Sequence, residues 1–278
     1  MLFFKEIMKT FINEKPQKIS KLLASNYGAE LSYSNLMKLF RNKDIKVNGK
    51  RINKDIIIDV GAVVDVYFDG EIKAYSPVFE GSAIFVFNKP PTITSEDFEA
   101  LLNKTYKGLK LCHRLDRNTS GLLVFASEEN AYNEMLLAFK NRTVDKFYLA
   151  EVYGTLAVKK ARLTAYLYKD ANNSEVKIYD TQVNGSVKII TEYEVVSENE
   201  NTSLLSVKLI TGKTHQIRAH LAHIGHFIVG DGKYGVNKIN KTLKQKRQNL
   251  KAYKTIFHFD KSSPLKSLDG VEITLPKD

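Results

Sequence analysis

The stretch HRLDRNTSGLLVFA, residues 113–126, joins a charged turn to an apolar strand. Asp116 lies between Arg114 and Arg117, and each nearby positive charge favours the ionised, nucleophilic carboxylate. Residues 119–121, Thr-Ser-Gly, provide a tight polar turn, and loops on a rigid scaffold commonly carry reactive groups. The pattern therefore indicates a catalytic aspartate. A structural ion pair that caps a turn is the alternative.

Four segments of the chain match the motifs of one enzyme family. The string HRLDRNTSGLL at residues 113–123 closely resembles the signature of the RluA-type pseudouridine synthases. Lys146, Phe147 and Tyr148 resemble the family's second motif, and TGKTHQIRAHL at residues 211–221 resembles its third. NKP at residues 88–90 resembles the motif that supports the active-site loop. The resemblance covers nearly the whole chain, with departures at Pro91, Thr92, Lys213, Phe227 and Lys251.

The resemblance implies roles for three residues. Asp116 is implied to be the catalytic residue, and Tyr148 the active-site tyrosine, whose ring can stack on or support a flipped base. Its hydroxyl can take part in proton transfer if its pKa is lowered, and a buried strand tyrosine is the alternative. On a helix that begins near Thr214, we expect Arg218 to hold Asp116, because a planar guanidinium fixes a carboxylate in one orientation.

Other residues of the same motifs are predicted to contact the RNA substrate. They are His113, Arg114, Arg117, Thr119, Lys146, Lys213, His215 and Gln216. The histidines at 215, 220, 223 and 226 raise the alternative of a metal site. No His-Glu-x-x-His pattern and no thiolate accompany them, so we predict no metal and no cofactor.

Composition places the chain among globular proteins. It has 278 residues, of which 43% are hydrophobic, and a single cysteine, Cys112, which suits a reducing cytosol. The longest apolar runs have strand length and fall far short of the ~20 residues that span a bilayer. We expect a cytoplasmic protein without a membrane segment.

The charge balance predicts a polyanionic partner. Lys and Arg number 42 against 31 Asp and Glu, which gives a formal net charge of +11. Basic side chains that bind phosphates release condensed counterions, so nucleic acid is the expected partner. One basic patch lies within residues 37–54, where we predict RNA contacts from Lys38, Arg41, Lys46, Lys50 and Arg51.

A second basic run covers residues 237–251. It holds six positive side chains, no acidic one and few apolar residues to anchor it, a composition that indicates a mobile insertion. It is either an arm that contacts phosphates or a solvated loop, and the sequence favours neither.

The pattern of elements predicts two domains. Residues 1–75 combine two short helices with a hairpin around Asn48 and Gly49, and they resemble an S4-type RNA-binding domain. In residues 76–278 we predict strands at 83–87, 122–126, 147–152, 191–196 and 204–210, and helices near 130–140 and 215–224. Strands and helices do not alternate regularly, so a doubly wound parallel sheet is not expected. We predict an α+β fold with a mixed, mainly antiparallel catalytic sheet.

The predicted function is isomerisation of uridine to pseudouridine in RNA by a monomeric enzyme. Large-subunit ribosomal RNA is the preferred substrate, because an S4-like domain before this catalytic domain resembles the large-subunit members of the family. Transfer RNA is the second candidate. The competing classes are a non-catalytic RNA-binding or ribosome-assembly protein and a metal-dependent hydrolase built on the histidines.

Overall fold

A computed structural model describes residues 8–27, 33–67, 75–170 and 175–276. By proximity of Cα atoms the chain divides into two compact units. The first unit comprises Met1–Tyr75 and Ala100–Thr105, and the second comprises Ser76–Glu99 and Tyr106–Asp278. No helix in these described ranges is both long enough and apolar enough to span a bilayer.

The first unit packs two helices against a small antiparallel sheet. Its elements are β1 (Met8–Ile12), β2 (Gln17–Lys18), α1 (Ile19–Tyr27), α2 (Tyr33–Asn42), β3 (Ile45–Val47), β4 (Lys50–Ile52), β5 (Ile57–Ile58) and β6 (Val63–Tyr67). The sheet has the order β1-β6-β3-β4, and β2 pairs with β5. Its core is formed by buried aliphatic side chains, among them Ile19, Leu23, Ile45, Val64 and Val66.

The predicted hairpin in this unit is present. Val47 of β3 pairs with Lys50 of β4, and Asn48 and Gly49 between them both have positive φ, 49° and 78°. Positive φ at both central positions defines the type I′ turn that matches strand twist, which explains the Asn-Gly sequence. The Asn48 side chain also accepts a hydrogen bond from the Val63 amide, which ties the turn to β6.

The second unit is built on an 11-stranded sheet. Its elements are β7 (Phe79–Gly81), β8 (Ile84–Lys89), α3 (Ser95–Leu102), β9 (Lys110–Leu111), β10 (Ser120–Ala126), α4 (Glu129–Asn141), β11 (Val144–Tyr153), β12 (Lys160–Asp170), β13 (Glu175–Tyr179), β14 (Val187–Glu198), β15 (Thr202–Leu209), α5 (Gln216–His223), α6 (Asn237–Thr242), β16 (Leu250–Phe257) and β17 (Glu272–Thr274). A short 3-10 helix, Lys266–Leu268, precedes β17.

The sheet is mainly antiparallel, as predicted. Its order is β13-β12-β14-β15-β11-β16-β10-β8-β7, with β17 beside β16 and β9 beside β10. Among the described strand pairs of this sheet, β10 and β16 alone run parallel, and they share two register positions, Ser120 with Lys251 and Gly121 with Ala252. The fold class predicted from the sequence, α+β with a mixed sheet, is confirmed.

Strand β10 is apolar throughout because both of its faces are covered. Leu122 and Val124 face a core that includes Met135 of α4, whereas Phe125 contacts Phe87 and Phe98. A strand buried on both faces shows a continuous hydrophobic run in place of alternation. This burial fixes the strand that directly follows the Asp116 turn.

Two expectations about the second unit were incomplete or wrong. The predicted strands and helices are all present, with ends shifted by a few residues, but six strands, β7, β9, β12, β13, β16 and β17, and two helices, α3 and α6, were missed. The basic run at 237–251 is not a free insertion. It contains α6 and the start of β16, and the side chains of Asn240 and Gln248 are buried, which a mobile loop would not allow.

Candidate active site

A cleft of about 1020 Å³ opens in the second unit beside the Asp116 turn. Its walls come from residues 111–119, from the end of α4 and the start of β11, and from residues 209–218 between β15 and α5. The predicted site residues of the catalytic motifs all line it: Asp116, Tyr148, Arg218, His113, Arg114, Arg117, Thr119, Lys146, Lys213, His215 and Gln216.

The predicted RNA contacts of residues 37–54 do not line this cleft. Arg41, Lys46, Lys50 and Arg51 belong to the first unit, where Arg41, Lys50 and Arg51 are exposed and Lys46 is half-buried. The side chain of Lys38 lies outside the described part of the structure.

The turn that carries Asp116 is closed by hydrogen bonds at both ends. The Thr119 amide donates to the Asp116 carbonyl at 3.0 Å, and the buried Gln248 side chain donates from Nε2 to Thr119 Oγ1 at 2.7 Å. On the other side the Leu115 amide donates to Ser95 Oγ at 2.9 Å. These contacts hold the backbone on either side of the carboxylate, so its position is set before substrate binds.

Gly121 is required by the close approach of β16. A Cβ atom at this position would lie 2.1 Å from the carbonyl oxygen of Ala252, and the φ angle of 113° is itself unfavourable for L side chains. The glycine of the family signature thus allows the strand after the turn to pair with β16.

A buried lysine organises the loop beside the turn. Lys89, at the end of β8, is fully buried, and its ammonium donates to the carbonyls of Pro90, Ile93 and Arg117 at 2.9, 2.9 and 3.2 Å. Burial lowers the pKa of Lys89 to about 8, although the nearby Asp116 charge opposes the shift. Lys89 therefore ties the loop after β8 to the loop of Asp116, as the resemblance implied.

Thr92, one of the departures from the family pattern, has a strained backbone. It stands where glycine is usual, and its φ is 76°. A β-branched residue in this region is an outlier, and such strain amounts to roughly 1–3 kcal/mol. The Thr92 amide donates to the Arg117 carbonyl at 2.9 Å, which holds the loop in this conformation.

Arg218 of α5 connects two carboxylates. Its Nη1 donates to Asp116 Oδ2 at 2.8 Å, while Nε and Nη2 donate to Asp231 Oδ2 and Oδ1 at 2.7 and 3.0 Å. The predicted contact between Arg218 and Asp116 is therefore present. Asp231, whose side chain is fully buried, was not assigned a role from the sequence, although it follows Gly230 within the third motif region.

Electrostatics keeps this network ionised. Burial alone would lower the pKa of Arg218, but the hydrogen bond to Asp231 and the two carboxylate charges raise it above its ordinary value. Burial alone would raise the pKa of Asp231, but the hydrogen bonds from Arg218 and from the amides of Lys233 and Tyr234 lower it. Arg218 therefore remains a cation beside Asp116.

The sequence neighbours of Asp116 are not its observed partners. Arg114 forms an exposed ion pair with Glu96 at 2.9 Å. In the described residues, the basic groups within 4 Å of the Asp116 carboxylate are Arg218 and, at 3.8 Å, Nε2 of His215. Arg114 and Arg117 are therefore part of the sequence motif, but they are not the positive charges closest to the Asp116 carboxylate, as the sequence had suggested.

Tyr148 lies on β11 and is buried at the cleft. Burial raises its pKa above the ordinary value, and the negative charge of Asp116 raises it further. The condition for proton abstraction by this tyrosine, a lowered pKa, is not met. Its phenol therefore remains protonated and can donate a hydrogen bond.

His215 lies between Asp116 and Tyr234. Its Nδ1 lies 2.8 Å from the Tyr234 hydroxyl, which also accepts a hydrogen bond from the Val176 amide at 3.2 Å. Its Nε2 lies 3.8 Å from Asp116 Oδ2. Burial lowers the pKa of His215, with the Asp116 charge opposing the shift, which favours a neutral imidazole.

His113 is held against the protein. Its Nε2 accepts a hydrogen bond from the Val124 amide at 3.2 Å, and its ring packs on Phe139. Burial and the Lys146 charge lower its pKa to about 3, so the ring is neutral. One edge of His113 lines the cleft, but its nitrogen Nε2 is committed to β10.

Several cleft residues were missed by sequence reasoning. Lys140 and Arg142, at the end of α4, add exposed positive charge to the rim, and Gln248 lies at its base. In the described residues, no group of three or more His, Cys, Asp or Glu is placed to hold a metal ion.

Comparisons with known proteins identify the class of enzyme. A family model described as RNA pseudouridylate synthase matches residues 83–223. The chain is 31% identical over 254 residues to an RNA pseudouridine synthase of Mycoplasma genitalium, an alignment that covers 83% of this chain and 82% of the relative. The chain therefore belongs to the RluA-type RNA pseudouridine synthases, which are isomerases.

Other relatives agree with this assignment. The ribosomal large subunit pseudouridine synthase C of Buchnera aphidicola is 26% identical over 260 residues, which cover 84% of this chain and 82% of that protein. The structure of human RNA pseudouridylate synthase domain containing 1 is 25% identical, with a TM-score of 0.65, and the match covers 76% of this chain and 86% of that one.

Proposed function

We propose that this enzyme isomerises specific uridines of large-subunit ribosomal RNA, with Asp116 as the nucleophile. The observation that carries the proposal is the Asp116 carboxylate, fixed in an open cleft by Arg218 and by a turn that is hydrogen-bonded at both ends. A nucleophile held in one orientation needs little reorganisation when the substrate arrives.

The reaction needs no external reagent. The C1′–N1 bond of uridine breaks, the uracil turns, a C1′–C5 bond forms, and the hydrogen on C5 is replaced by one on N1, so substrate and product are isomers. The target base must leave its stack to reach the cleft, and unpaired or bulged uridines require the least energy to flip. Asp116 engages the flipped nucleotide at C1′ or at C6 of the base, or, in an elimination to a glycal, takes up the C2′ proton as the C1′–N1 bond breaks and returns it when the C1′–C5 bond forms.

We assign Tyr148 and Arg218 to supporting roles in this chemistry. Because the pKa of Tyr148 is raised, its phenol is protonated and is placed to donate a hydrogen bond and to provide a surface for the flipped nucleobase. Arg218 orients Asp116 and stabilises its anion. Lys213 and Arg117, both exposed at the cleft, are suited to contact phosphates of the flipped nucleotide.

We also propose that residues 1–75 form an S4-like RNA-binding domain and residues 76–278 the catalytic domain. In the first unit, Lys46 and Arg51 lie 4.7 and 5.1 Å from the centre of the Tyr67 ring, which gathers two positive charges on one aromatic surface. Exposed Lys50 and Arg41 add to the positive charge of this unit. Such a surface docks RNA through its backbone without reading the sequence.

Ribosomal RNA is proposed over transfer RNA because a full-length relative carries the name ribosomal large subunit pseudouridine synthase C. We propose that the enzyme acts as a monomer, because Asp116, Tyr148 and Arg218 already meet within the cleft of a single chain.

The test is to incubate the purified enzyme with unmodified large-subunit ribosomal RNA and with unmodified transfer RNA, and to map pseudouridine in each. Pseudouridine should form at defined sites in the ribosomal RNA. Asp116→Asn, which removes the charge and the nucleophile, should lower the rate at least about a thousandfold. Asp260→Asn, the same change at an exposed position outside the cleft, serves as the control.

Two results would contradict the proposal. Full activity of Asp116→Asn would remove the nucleophile assignment, and modification of transfer RNA alone would replace the substrate class. To test the first unit separately, Lys46→Gln, Lys50→Gln and Arg51→Gln are combined, and RNA affinity should fall while the rate at saturating RNA stays unchanged.

A further inference from the structure

The basic run after α5 is anchored to the protein by buried amide side chains. Asn240 of α6 accepts from the Gly230 amide at 2.8 Å and donates to the Asp231 carbonyl at 3.1 Å. Gln248 donates to Thr119 in the turn of Asp116. These contacts hold the backbone of the run to the protein at Asn240 and at Gln248.

The anchoring residue Asn240 is connected to the catalytic residues through a chain of hydrogen bonds. Asp231, whose backbone is held by Asn240, binds Arg218, and Arg218 binds Asp116. Close packing at Gly230 also fixes the other end of the run, since a Cβ atom there would lie 1.8 Å from the Arg247 carbonyl oxygen. The run is therefore built onto the same scaffold as the site.

The charges on this run are not neutralised within the protein. We define the basic segment as five exposed side chains: Lys238, Lys241, Lys244, Lys246 and Arg247. None of them forms an ion pair in the part of the chain that the structure describes, and residues 237–251 contain no acidic residue. Lys251 is excluded, because its ammonium donates to the Pro276 carbonyl.

Two exposed cations of β12 give a contrast. Lys160 pairs with Glu194, and Arg162 pairs with Glu192 on the neighbouring strand β14. Lys159, just before β12, pairs with Glu198. These three basic side chains are thus paired with acidic residues, whereas the five cations of the basic segment are clustered and unpaired. The segment ends beside Gln248, which lines the cleft, so this clustered positive charge fits a polyanion that enters the cleft.

We propose that the basic segment binds the sugar-phosphate backbone of the substrate RNA next to the flipped uridine. The inference rests on the proposed function only in taking RNA as the ligand. Lys238 and Lys241 are three residues apart on α6, so they share one face of the helix and can contact neighbouring phosphates. The contact is with phosphates, so it adds affinity without base selectivity.

The test compares two triple variants with the same change in charge. Lys238→Gln, Lys241→Gln and Lys244→Gln remove charge from the basic segment. Lys169→Gln, Lys177→Gln and Lys188→Gln remove it from exposed positions on β12, β13 and β14, which lie at least three strands away from β16. A third variant replaces the three segment lysines by arginine.

Binding is measured by titration with transcribed large-subunit ribosomal RNA, in an Asp116→Asn background, between 50 and 200 mM salt. The segment variant should bind roughly 10- to 30-fold more weakly at the low end of this range, and its log-log salt slope should be shallower by about 2, as expected for three lost phosphate contacts. The control and the arginine variant should match the parent.

Activity gives a second readout with Asp116 intact. The segment variant should raise KM by a similar factor and leave kcat at saturating RNA unchanged. Equal weakening by the control triple would show that overall charge, not this segment, governs binding, and an unchanged salt slope in the segment variant would equally overturn the inference. Transfer RNA is titrated in parallel. If transfer RNA is the true substrate, the same comparison between variants is made with transfer RNA, so an error in the substrate class does not affect the test of the basic segment.

Discussion

Replacement of Asp231 by asparagine tests whether Arg218 needs its buried anchor. Asp231 Oδ1 accepts from Arg218 Nη2 and from the amides of Lys233 and Tyr234, while Oδ2 accepts from Arg218 Nε. An asparagine side chain has one acceptor oxygen, so its NH2 group must lie against at least one of the donors that Asp231 now binds. The most favourable orientation keeps the three bonds to Oδ1 and places an NH2 group against Arg218 Nε.

The expected loss of stability depends on the contacts that Arg218 keeps in the Asp231→Asn variant. Removing one partner of a buried ion pair costs about 3–5 kcal/mol, but Arg218 keeps the Asp116 carboxylate and one hydrogen bond to the new amide. A loss of about 2–3 kcal/mol in the free energy of unfolding is therefore expected, close to the value of one hydrogen bond to a charged group. For a unit of this size that lowers Tm by roughly 4–12 °C.

The loss of kcat in Asp231→Asn should be larger than the loss of folding stability alone would cause. Arg218 orients Asp116, and a displacement of about 1 Å at a reacting group lowers rates on the order of a hundredfold. The assay is kcat at saturating ribosomal RNA, together with Tm by calorimetry. Asp180→Asn, the same change in an exposed carboxylate that pairs with His223, should leave both unchanged.

The pH dependence gives an independent check. Because the hydrogen bonds from Arg218 outweigh burial and lower the pKa of Asp231, its stabilising contribution is fully present above the unfolded value near 4 and is lost as pH falls through the folded value. The difference in Tm between wild type and Asp231→Asn should be full at pH 7 and narrow below about pH 4. A variant with wild-type kcat and Tm at pH 7 would refute the reasoning.

Three further substitutions test other parts of the site. Thr92→Gly should raise the free energy of unfolding by about 1 kcal/mol, because relief of positive-φ strain exceeds the entropy of the added glycine, and a lower Tm would contradict this. Gly121→Ala should lower the free energy of unfolding by about 3 kcal/mol or more. The control is Gly108→Ala, at a glycine that also has positive φ but open space around its Cβ position, and it should lower the free energy of unfolding by only about 1 kcal/mol. Equal losses in the two variants would show that the contact with β16 is unimportant. Tyr234→Phe should lower kcat about tenfold, because His215 loses the hydroxyl that meets its Nδ1 and is less well oriented beside Asp116, and an unchanged kcat would show that this hydrogen bond does not position His215.

Local patterns were sufficient for the elements around the catalytic turn. The apolar run of β10 and the Asn-Gly hairpin of the first unit follow from short-range rules, and both are present. Strand β12 was missed although its first eight residues alternate between more exposed and more buried positions, and β16 was missed because it directly follows a basic run. The register that joins β10 to β16 depends on residues far apart in sequence, and no local signal encodes it.

The residues of the candidate site likewise fall into those that the sequence predicts and those that it does not. Asp116, Tyr148 and Arg218 are found from motif resemblance, and the contact of Arg218 with Asp116 follows from the chemistry of a guanidinium. Asp231 and Gln248 were not found, because a buried carboxylate or amide gains its role only from the side chain that it meets after folding. The flanking arginines illustrate the converse, since Arg114 is adjacent in sequence but pairs with Glu96.

The central position of β16 links catalytic competence to protein synthesis. This strand lies between β11 and β10, and it supplies the pairing that Gly121 makes possible. A ribosome must therefore translate residues 250–257 before the sheet can close around the turn that was made much earlier. Until then, the nascent polypeptide has the catalytic motif but lacks the neighbouring strand that shapes it, so activity requires translation of β16.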